Sequence, residues 1–378
     1  MKKKLLIFSD YFIPGFKAGG PIKSILNLSN MMDKSFDIYV VTRDKDFGDL
    51  DSYNSINYDT SNVFNNINVF YLNKINIITI NKYIKKIDPD LIYLNSFFSK
   101  ITQIVLFLKK IRLVNCEIIL APRGELLKGA ASLKSQKKKV FLRLAKLCKW
   151  HGKDLIFHAT NDIETNNLKS RFSNKIFEIP NLAISQNVEF VNKGKKSNIL
   201  NIIFLSRISE KKNLLFALNI LKKLDDENIV FDIYGPKEDL KYWERCEKLM
   251  SSFKNIKISY KGLVRPLDVA TTLGRYQCFL LPTLDENFGH AIVESMQMGV
   301  IPVISDQTPW NDVQKFEAGW ALDLCDEYGF VEALKEIQGY NGERFSKVSK
   351  NAQNYINERL DTSKSIDMYN DMFSRSIK

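Results

Sequence analysis

CFLLPTLDENFGHAIVESMQMG, residues 278–299, decides the reading of this chain. Cys278 to Pro282 is a short, continuous apolar run of the kind that forms a buried parallel strand. Thr283 to Phe288 is a polar loop, and Gly289 opens a helix predicted from His290 to Met298 that stops at Gly299. A helix that starts just beyond a strand's carboxyl end offers unpaired backbone N–H groups and the positive end of its dipole, a seat for a diphosphate. Gly289 lets the backbone come close to such a group. Glu294, in the second turn, points its carboxylate back toward the same mouth, within reach of ribose hydroxyls. Glu286 on the loop can accept from sugar hydroxyls, and Asn287, Phe288 and His290 border the same seat. The plain alternative is a helix with incidental acids near its start, which the dipole favours in any case.

Similar runs recur outward from this unit. In the first half they are Lys4–Ser9, Asp37–Thr42, Asn68–Leu72, Leu91–Asn95, Glu117–Pro122, Leu155–Thr160 and Lys175–Ile179. In the second half they are Asn201–Ser206, Val230–Tyr234, Ile256–Tyr260, Cys278–Pro282, Val300–Ser305 and Trp320–Asp323. Alternation with amphipathic stretches implies an α/β protein of two doubly wound, Rossmann-like domains facing a central cleft. A polar, aperiodic stretch from Ile184 to Asn198 marks a linker, giving domains at 1–185 and 201–360 with the linker at 186–200. Asp326 to Leu360 reads as helical. Residues 361–378, with Asp361-Thr362 as a cap, form a final helix from Ser363 to Ser374 expected to pack back on the first domain.

Ligands of such sheets gather at the carboxyl ends of strands, so the loops there carry the remaining candidates. After Ile202–Ser206 come Arg207 and then Lys212-Asn213. Two cations at this place can clamp a leaving diphosphate and neutralise its growing charge, Arg207 and Lys212 being paired with Glu286 as the catalytic set. A solvated basic loop is the alternative, and it suits Glu210-Lys211. Tyr234-Gly235-Pro236 and Lys261-Gly262-Leu263-Val264 end two more strands; Tyr234, Gly235, Gly262 and Val264 are donor-side candidates, although both glycines also fit ordinary turns.

Composition narrows the class. The 378 residues, 45% hydrophobic, suffice for two full cores. Cys116, Cys148, Cys246, Cys278 and Cys325 stand singly and suggest neither a zinc site nor a disulfide framework; a reducing cytoplasm fits. The apolar run Leu5–Phe8 is too short for a signal peptide and nothing approaches a membrane span. The net charge of +12 is uneven: residues 1–190 carry 29 Lys and Arg against 17 Asp and Glu, whereas residues 191–378 carry 26 of each. Residues 101–150 alone hold 12 basic and 2 acidic residues. There, Leu133 to Trp150 reads either as a cationic amphipathic helix for an anionic membrane surface or a lipid-diphosphate, or as a core helix with a solvated basic face.

The order and spacing of Arg207…Lys212, Tyr234-Gly235-Pro236, Lys261–Val264, Glu286 to Glu294 and Met298–Ile304 with Thr308-Pro309-Trp310 resemble the retaining glycosyltransferases of the GT-B fold grouped as glycosyltransferase family 4, the glycosyl transferases group 1. The resemblance runs over nearly the whole chain. It implies that Glu286 contacts the donor sugar near the reaction centre, the Phe288-Gly289 backbone meets the phosphates, Glu294 holds the ribose, and Arg207 and Lys212 bind phosphate. It implies a metal-independent reaction that retains anomeric configuration, with UDP- or GDP-linked donors and no other cofactor. In the first domain, Phe12-Ile13-Pro14 with Gly19-Gly20-Pro21 matches the family's glycine-rich loop, where Gly20 faces the donor phosphate and Gly19 the acceptor entrance. Ala121–Glu125 matches a loop where many members place a His; Arg123 stands there, and Arg123 and Glu125 are assigned to the acceptor entrance. Leu182 replaces the usual Gly after Asn181, and His158 reads as a packed, hydrogen-bonded residue.

Asp88-Pro89-Asp90 looks like the metal-binding D-x-D of another glycosyltransferase fold, but it precedes its strand and sits at the wrong end of the sheet. His151 and His290 are too isolated to be metal ligands. The expectation is a hexosyltransferase acting on a glycan or lipid-linked acceptor in surface polysaccharide or lipopolysaccharide synthesis, cytoplasmic and peripheral to the membrane. A nucleotide-sugar epimerase of the same architecture is the alternative, marked by conversion of the donor without acceptor. Nucleic-acid binding suits the isoelectric point of about 9.2 but has no motif behind it.

Overall fold

The computed structural model describes residues 2–58, 60–126, 152, 154–183, 199–224 and 228–377. The basic segment Leu133–Trp150 and nearly all of the 186–200 linker lie outside the described residues. The chain divides into two units, one of Met1–Ala183 with Thr362–Lys378, the other Ile184–Asp361.

The first unit is built on strands β1 (Lys3–Phe8), β2 (Phe36–Arg43), β3 (Asn62–Phe64), β4 (Ile67–Leu72), β5 (Leu91–Asn95), β6 (Glu117–Ala121), β7 (Ile156–Ala159) and β8 (Ile176–Glu178). Their order is β3-β4-β2-β1-β5-β6-β7-β8, and every pairing is parallel except β3 with β4. Alternate residues of β1 feed two cores: Leu5 and Ile7 on one face, Leu6 and Phe8 on the other. That is why the strand reads as an unbroken apolar run. The helix Thr362–Ser376 completes the first core with Tyr369, Met372 and Phe373, and the Phe373 ring meets Phe36 and Tyr93 edge-on, at 5.6 Å from each.

The second unit holds β9 (Leu200–Leu205), β10 (Ile229–Tyr234), β11 (Lys257–Gly262), β12 (Cys278–Leu281), β13 (Ile301–Ser305) and β14 (Trp320–Leu322). All are parallel, in the order β11-β10-β9-β12-β13-β14. The chain steps outward from β9 in one direction, then returns to β12 and steps the other way. The loops after β9 and β12 therefore lie at the switch point, where doubly wound sheets place their ligands.

One element departs from the sequence reading and another is more finely divided. β3 was not expected; Asn65 and Asn66, both at positive φ (45° and 65°), turn it back on β4, the conformation that a tight hairpin needs and Asn tolerates. The helical stretch after Asp326 is two helices, Glu327–Gly339 and Gly342–Arg359. Asn341 separates them, its side chain accepting from the Arg344 N–H as an N-cap.

Candidate active site

The loop after β12 is stitched on both sides. Thr283, fully buried, donates its hydroxyl to the Lys211 carbonyl (3.0 Å), and the Leu284 N–H donates to the same oxygen (2.9 Å). On the other flank Ser305 Oγ donates to the Thr283 carbonyl (2.5 Å) and the Glu286 N–H to the Gln307 carbonyl (2.9 Å). This loop thus inherits its position from the sheet.

Opposite it, Glu210–Lys212 forms one 3₁₀ turn closed by Asn213 in the left-handed conformation (φ 58°, ψ 40°). The turn aims Lys212, only 8% exposed, at Glu286. Its ammonium makes a close ion pair with Glu286 Oε2. One residue earlier, Lys211 Nζ lies 3.2 Å from Asp285 Oδ2. Burial pushes the Glu286 carboxyl up, but the Lys212 ammonium outweighs it, with Lys211 and Arg207 adding to the same effect; the net shift is downward and the carboxylate stays ionised. Burial lowers the Lys212 ammonium against the pull of Glu286.

Gly289 is left-handed (φ 77°, ψ 57°) and caps the helix His290–Gln297 without a side-chain hydrogen bond. A β-carbon there would stand 2.9 Å from Ile292 Cδ1 and 3.1 Å from Glu286 Cγ, so conformation and space both call for glycine. Phe288 is buried, with its ring 4.7 Å from His290 and 5.6 Å from Trp310; Trp310 Nε1–H donates to the Phe288 carbonyl (2.6 Å). Asn287 is half-buried beside it, and Glu294 is half-buried in the second helical turn.

Arg207 follows β9 and pairs with Glu238 (3.1 Å), a partner not foreseen from the sequence. Its charge still acts on both Lys212 and Glu286. Tyr234 and Gly262 end β10 and β11, with Gly235 and Val264 just beyond. Gly235 passes so close to β9 that a β-carbon would collide with the Ser206 carbonyl at 1.9 Å, and its N–H donates to the Gly262 carbonyl (2.8 Å). The Tyr234 hydroxyl meets that of Tyr276 (3.1 Å), which donates to Asp232 (2.7 Å).

In the first unit Gly19 (φ 68°) precedes the helix that begins at Gly20. Asp46 steadies this loop by accepting from the N–H groups of Phe16 (2.7 Å) and Lys17 (3.0 Å). Arg123 just follows β6 and turns inward. Its guanidinium donates to Asn95 Oδ1 (3.0 and 3.1 Å) and the Tyr93 hydroxyl (3.0 Å), and closely to Asn181 Oδ1. The Tyr93 hydroxyl meets His158 Nδ1 (2.6 Å), and His158 Nε2 meets the Ile179 carbonyl (2.8 Å). The carbonyl can only accept, so Nε2 carries a proton; burial first, then the Arg123 charge, lowers the imidazole pKa to about 3, which leaves the ring neutral with Nδ1 accepting from Tyr93. Glu125 accepts from Ser96 Oγ (2.6 Å) and the Phe98 N–H (3.0 Å). Arg123 and Glu125, read from the sequence as an acceptor entrance, thus spend these contacts on bracing their own loops.

Asp88 is the left-handed C-cap of the helix Ile77–Ile87, and Asp90 accepts from the Lys4 N–H (2.8 Å) and Lys3 Nζ (3.0 Å). The D-x-D is local structure. The sequence reading gave Lys211 to a solvated basic loop, which its pairing with Asp285 corrects, and it passed over Asp285 and Glu238; adjacent doublets of opposite charge, Lys211-Lys212 and Asp285-Glu286, were the signal available for that pairing.

Residues 185–355 match the family described as Glycosyl transferases group 1. No curated protein matches the chain in sequence. Among solved structures, the chain is similar to sucrose-phosphate synthase from Thermosynechococcus elongatus (TM-score 0.77, 13% identity, 99% of each chain). It is also similar to Anabaena HepE, solved with UDP and glucose (TM-score 0.73, 13% identity, 99% of this chain and 100% of that one). WaaG, a glycosyltransferase involved in lipopolysaccharide biosynthesis, shares the fold at TM-score 0.69 and 10% identity over 97% of this chain and 99% of that one. These likenesses establish an α/β fold of two units on parallel sheets.

Proposed function

We propose that this chain, whose residues 185–355 carry a Glycosyl transferases group 1 domain, is a retaining, metal-independent glycosyltransferase. It moves a hexose from a UDP- or GDP-linked donor to a glycan or lipid-linked acceptor. The observation that carries the reading is the buried Lys212–Glu286 pair beside the uncapped helix start at Gly289, at the switch point of the second sheet. HepE's structure with UDP and glucose and WaaG's part in lipopolysaccharide biosynthesis support the donor and acceptor classes.

In this reading the donor diphosphate sits on the amides that open the helix His290–Gln297 and takes over the Lys212 ammonium, with Arg207 beside it. Glu286, relieved of Lys212, accepts from the sugar hydroxyls; Glu294 holds the ribose; Tyr234, Gly235, Gly262 and Val264 flank the nucleotide. Retention by double displacement needs a carboxylate nucleophile with a second carboxyl group about 5 Å away. Glu286 and Glu294 already have other work here. The acceptor oxygen therefore attacks the anomeric carbon on the face that the diphosphate leaves. The sugar–phosphate bond breaks, its electrons go to the phosphate oxygen, and that oxygen receives the acceptor's proton. The enzyme's contribution is stabilisation of the departing charge. Gly20 of the first unit is assigned to the donor phosphate, Gly19 to the acceptor entrance, and Leu133–Trp150 to an anionic membrane surface.

A panel of nucleoside diphosphates tests the donor site by thermal stabilisation. A ligand at a hundred times its Kd adds about 2.7 kcal/mol to the native state. UDP or GDP is expected to raise Tm by several degrees; no shift from any nucleoside diphosphate at millimolar concentration would remove the assignment. Conversion of a nucleotide sugar without acceptor would point to an epimerase instead.

A further inference from the structure

Lys212 and Glu286 are joined across 74 residues of sequence, and something must keep two loops in register when a diphosphate takes the lysine away. The ion pair cannot do this, because in the proposed reaction it is the contact that breaks. The neighbouring residues are built differently. Lys211 is held twice: its carbonyl accepts from both Thr283 Oγ1 and Leu284 N–H, and its ammonium lies 3.2 Å from Asp285 Oδ2. That oxygen is buried and accepts no hydrogen bond among the described residues, so the ion pair is its compensation. The Asp285 side chain is 15% exposed and that of Lys211 23%. Asp285 thus turns one buried carboxylate oxygen to the Lys211 ammonium, and removing either charge alone leaves the other without its counterpart.

We propose that Lys211 and Asp285 are positioning residues: their ion pair locks the 3₁₀ turn after β9 to the loop after β12, so that Lys212 and Glu286 keep their spacing after the donor has separated them. The inference rests on the donor site proposed above and adds two residues that touch no reacting atom. Two parallel pairs divide the labour. Lys212–Glu286 exchanges partners with the substrate, and Lys211–Asp285 does not.

Misplacement of a reacting group by about 1 Å can cost about 10²-fold in rate, which sets the expected scale. In the full chain, Lys211→Met and Asp285→Asn should each lower kcat by about 10- to 100-fold, with UDP or GDP affinity held within about threefold. Rates are counted per nucleotide-binding site by titration, so partial unfolding does not mimic the effect. The exchanged double variant, Lys211→Asp with Asp285→Lys, should recover much of the loss, and Lys211→Arg should retain most of the activity. Full kcat in both single variants, or a double variant no better than either single, overturns the pairing. The parent assignment is read separately: if Lys212→Ala and Glu286→Ala are inactive while both Lys211→Met and Asp285→Asn are fully active, only the positioning role falls. If Lys212→Ala and Glu286→Ala are themselves active, the donor site falls.

Discussion

Arg123 in the first unit and Lys212 in the second occupy equivalent addresses, each in the loop just past the carboxyl end of an inner strand of a parallel sheet. Their surroundings differ in kind. Arg123 spends its donors on Asn95, Tyr93 and Asn181, groups fixed by the fold, the buried Glu164 carboxylate adds its charge, and the network continues through His158 to the Ile179 carbonyl. Among the described residues Lys212 has one charged partner, on a loop, and a phosphate can replace that partner in kind. A cation held by several groups fixed in the fold holds structure, whereas one balanced by a single exchangeable charge is available for chemistry.

The contrast breaks most visibly in rate. Lys212→Ala or Glu286→Ala should lower transfer by about 10²- to 10³-fold, the scale for losing one group that stabilises a developing charge, with an unchanged circular dichroism spectrum. Arg123→Met should do the opposite. Losing charge-assisted hydrogen bonds that leave buried acceptors unmet costs on the order of 3 kcal/mol, measured by urea unfolding, while the rate per folded molecule stays within about threefold. A stable Arg123→Met protein without activity would return Arg123 to the acceptor site.

A smaller effect lies in pH. His158 is neutral in the fold, with a pKa lowered from 6.5 to about 3. Its native pKa is below its unfolded value, so its contribution is fully present above about 6.5 and is lost as pH falls toward 3, the unfolded chain binding the proton first. The slope is about 1.4 kcal/mol per pH unit, and a His158→Gln variant should lack it when the unfolding free energy is compared at pH 7 and pH 5. Smallest, Tyr93→Phe removes the hydroxyl between Arg123 and His158 and should cost about 1 kcal/mol without altering nucleotide affinity.

Much of this was legible in advance because it depends on short range. Parallel strands buried on both faces announce themselves as apolar runs such as Leu91–Asn95, and Glu286, Gly289 and Glu294 could be placed because they lie within one strand-loop-helix unit. β3 escaped because three residues carry little pattern, although Asn65-Asn66 was a turn signal. The stretch after Asp326 read as helical and is, but its division at Asn341 was not marked because the apolar spacing continues across it. Side-chain partners were less accessible: nothing local tells Arg207 that Glu238 is its neighbour, or Lys211 that Asp285 is, until the sheet order sets those loops together. The same limit hid the inward turn of Arg123, which depends on Asn95 at the end of β5 and Asn181 beyond β8.

The central claim is that Lys212 is held ready by Glu286 and surrendered to a diphosphate. Calorimetric titration of UDP and GDP into the wild-type, Lys212→Met and Glu286→Gln proteins tests it directly. The account predicts that Lys212→Met weakens the better ligand by about 10-fold or more, as loss of a charge-assisted contact of 1.5–3 kcal/mol requires. Glu286→Gln should bind it as tightly as the wild type or more tightly, since the competing carboxylate is gone. Wild-type affinity in Lys212→Met, or a large loss of affinity in Glu286→Gln, would contradict it.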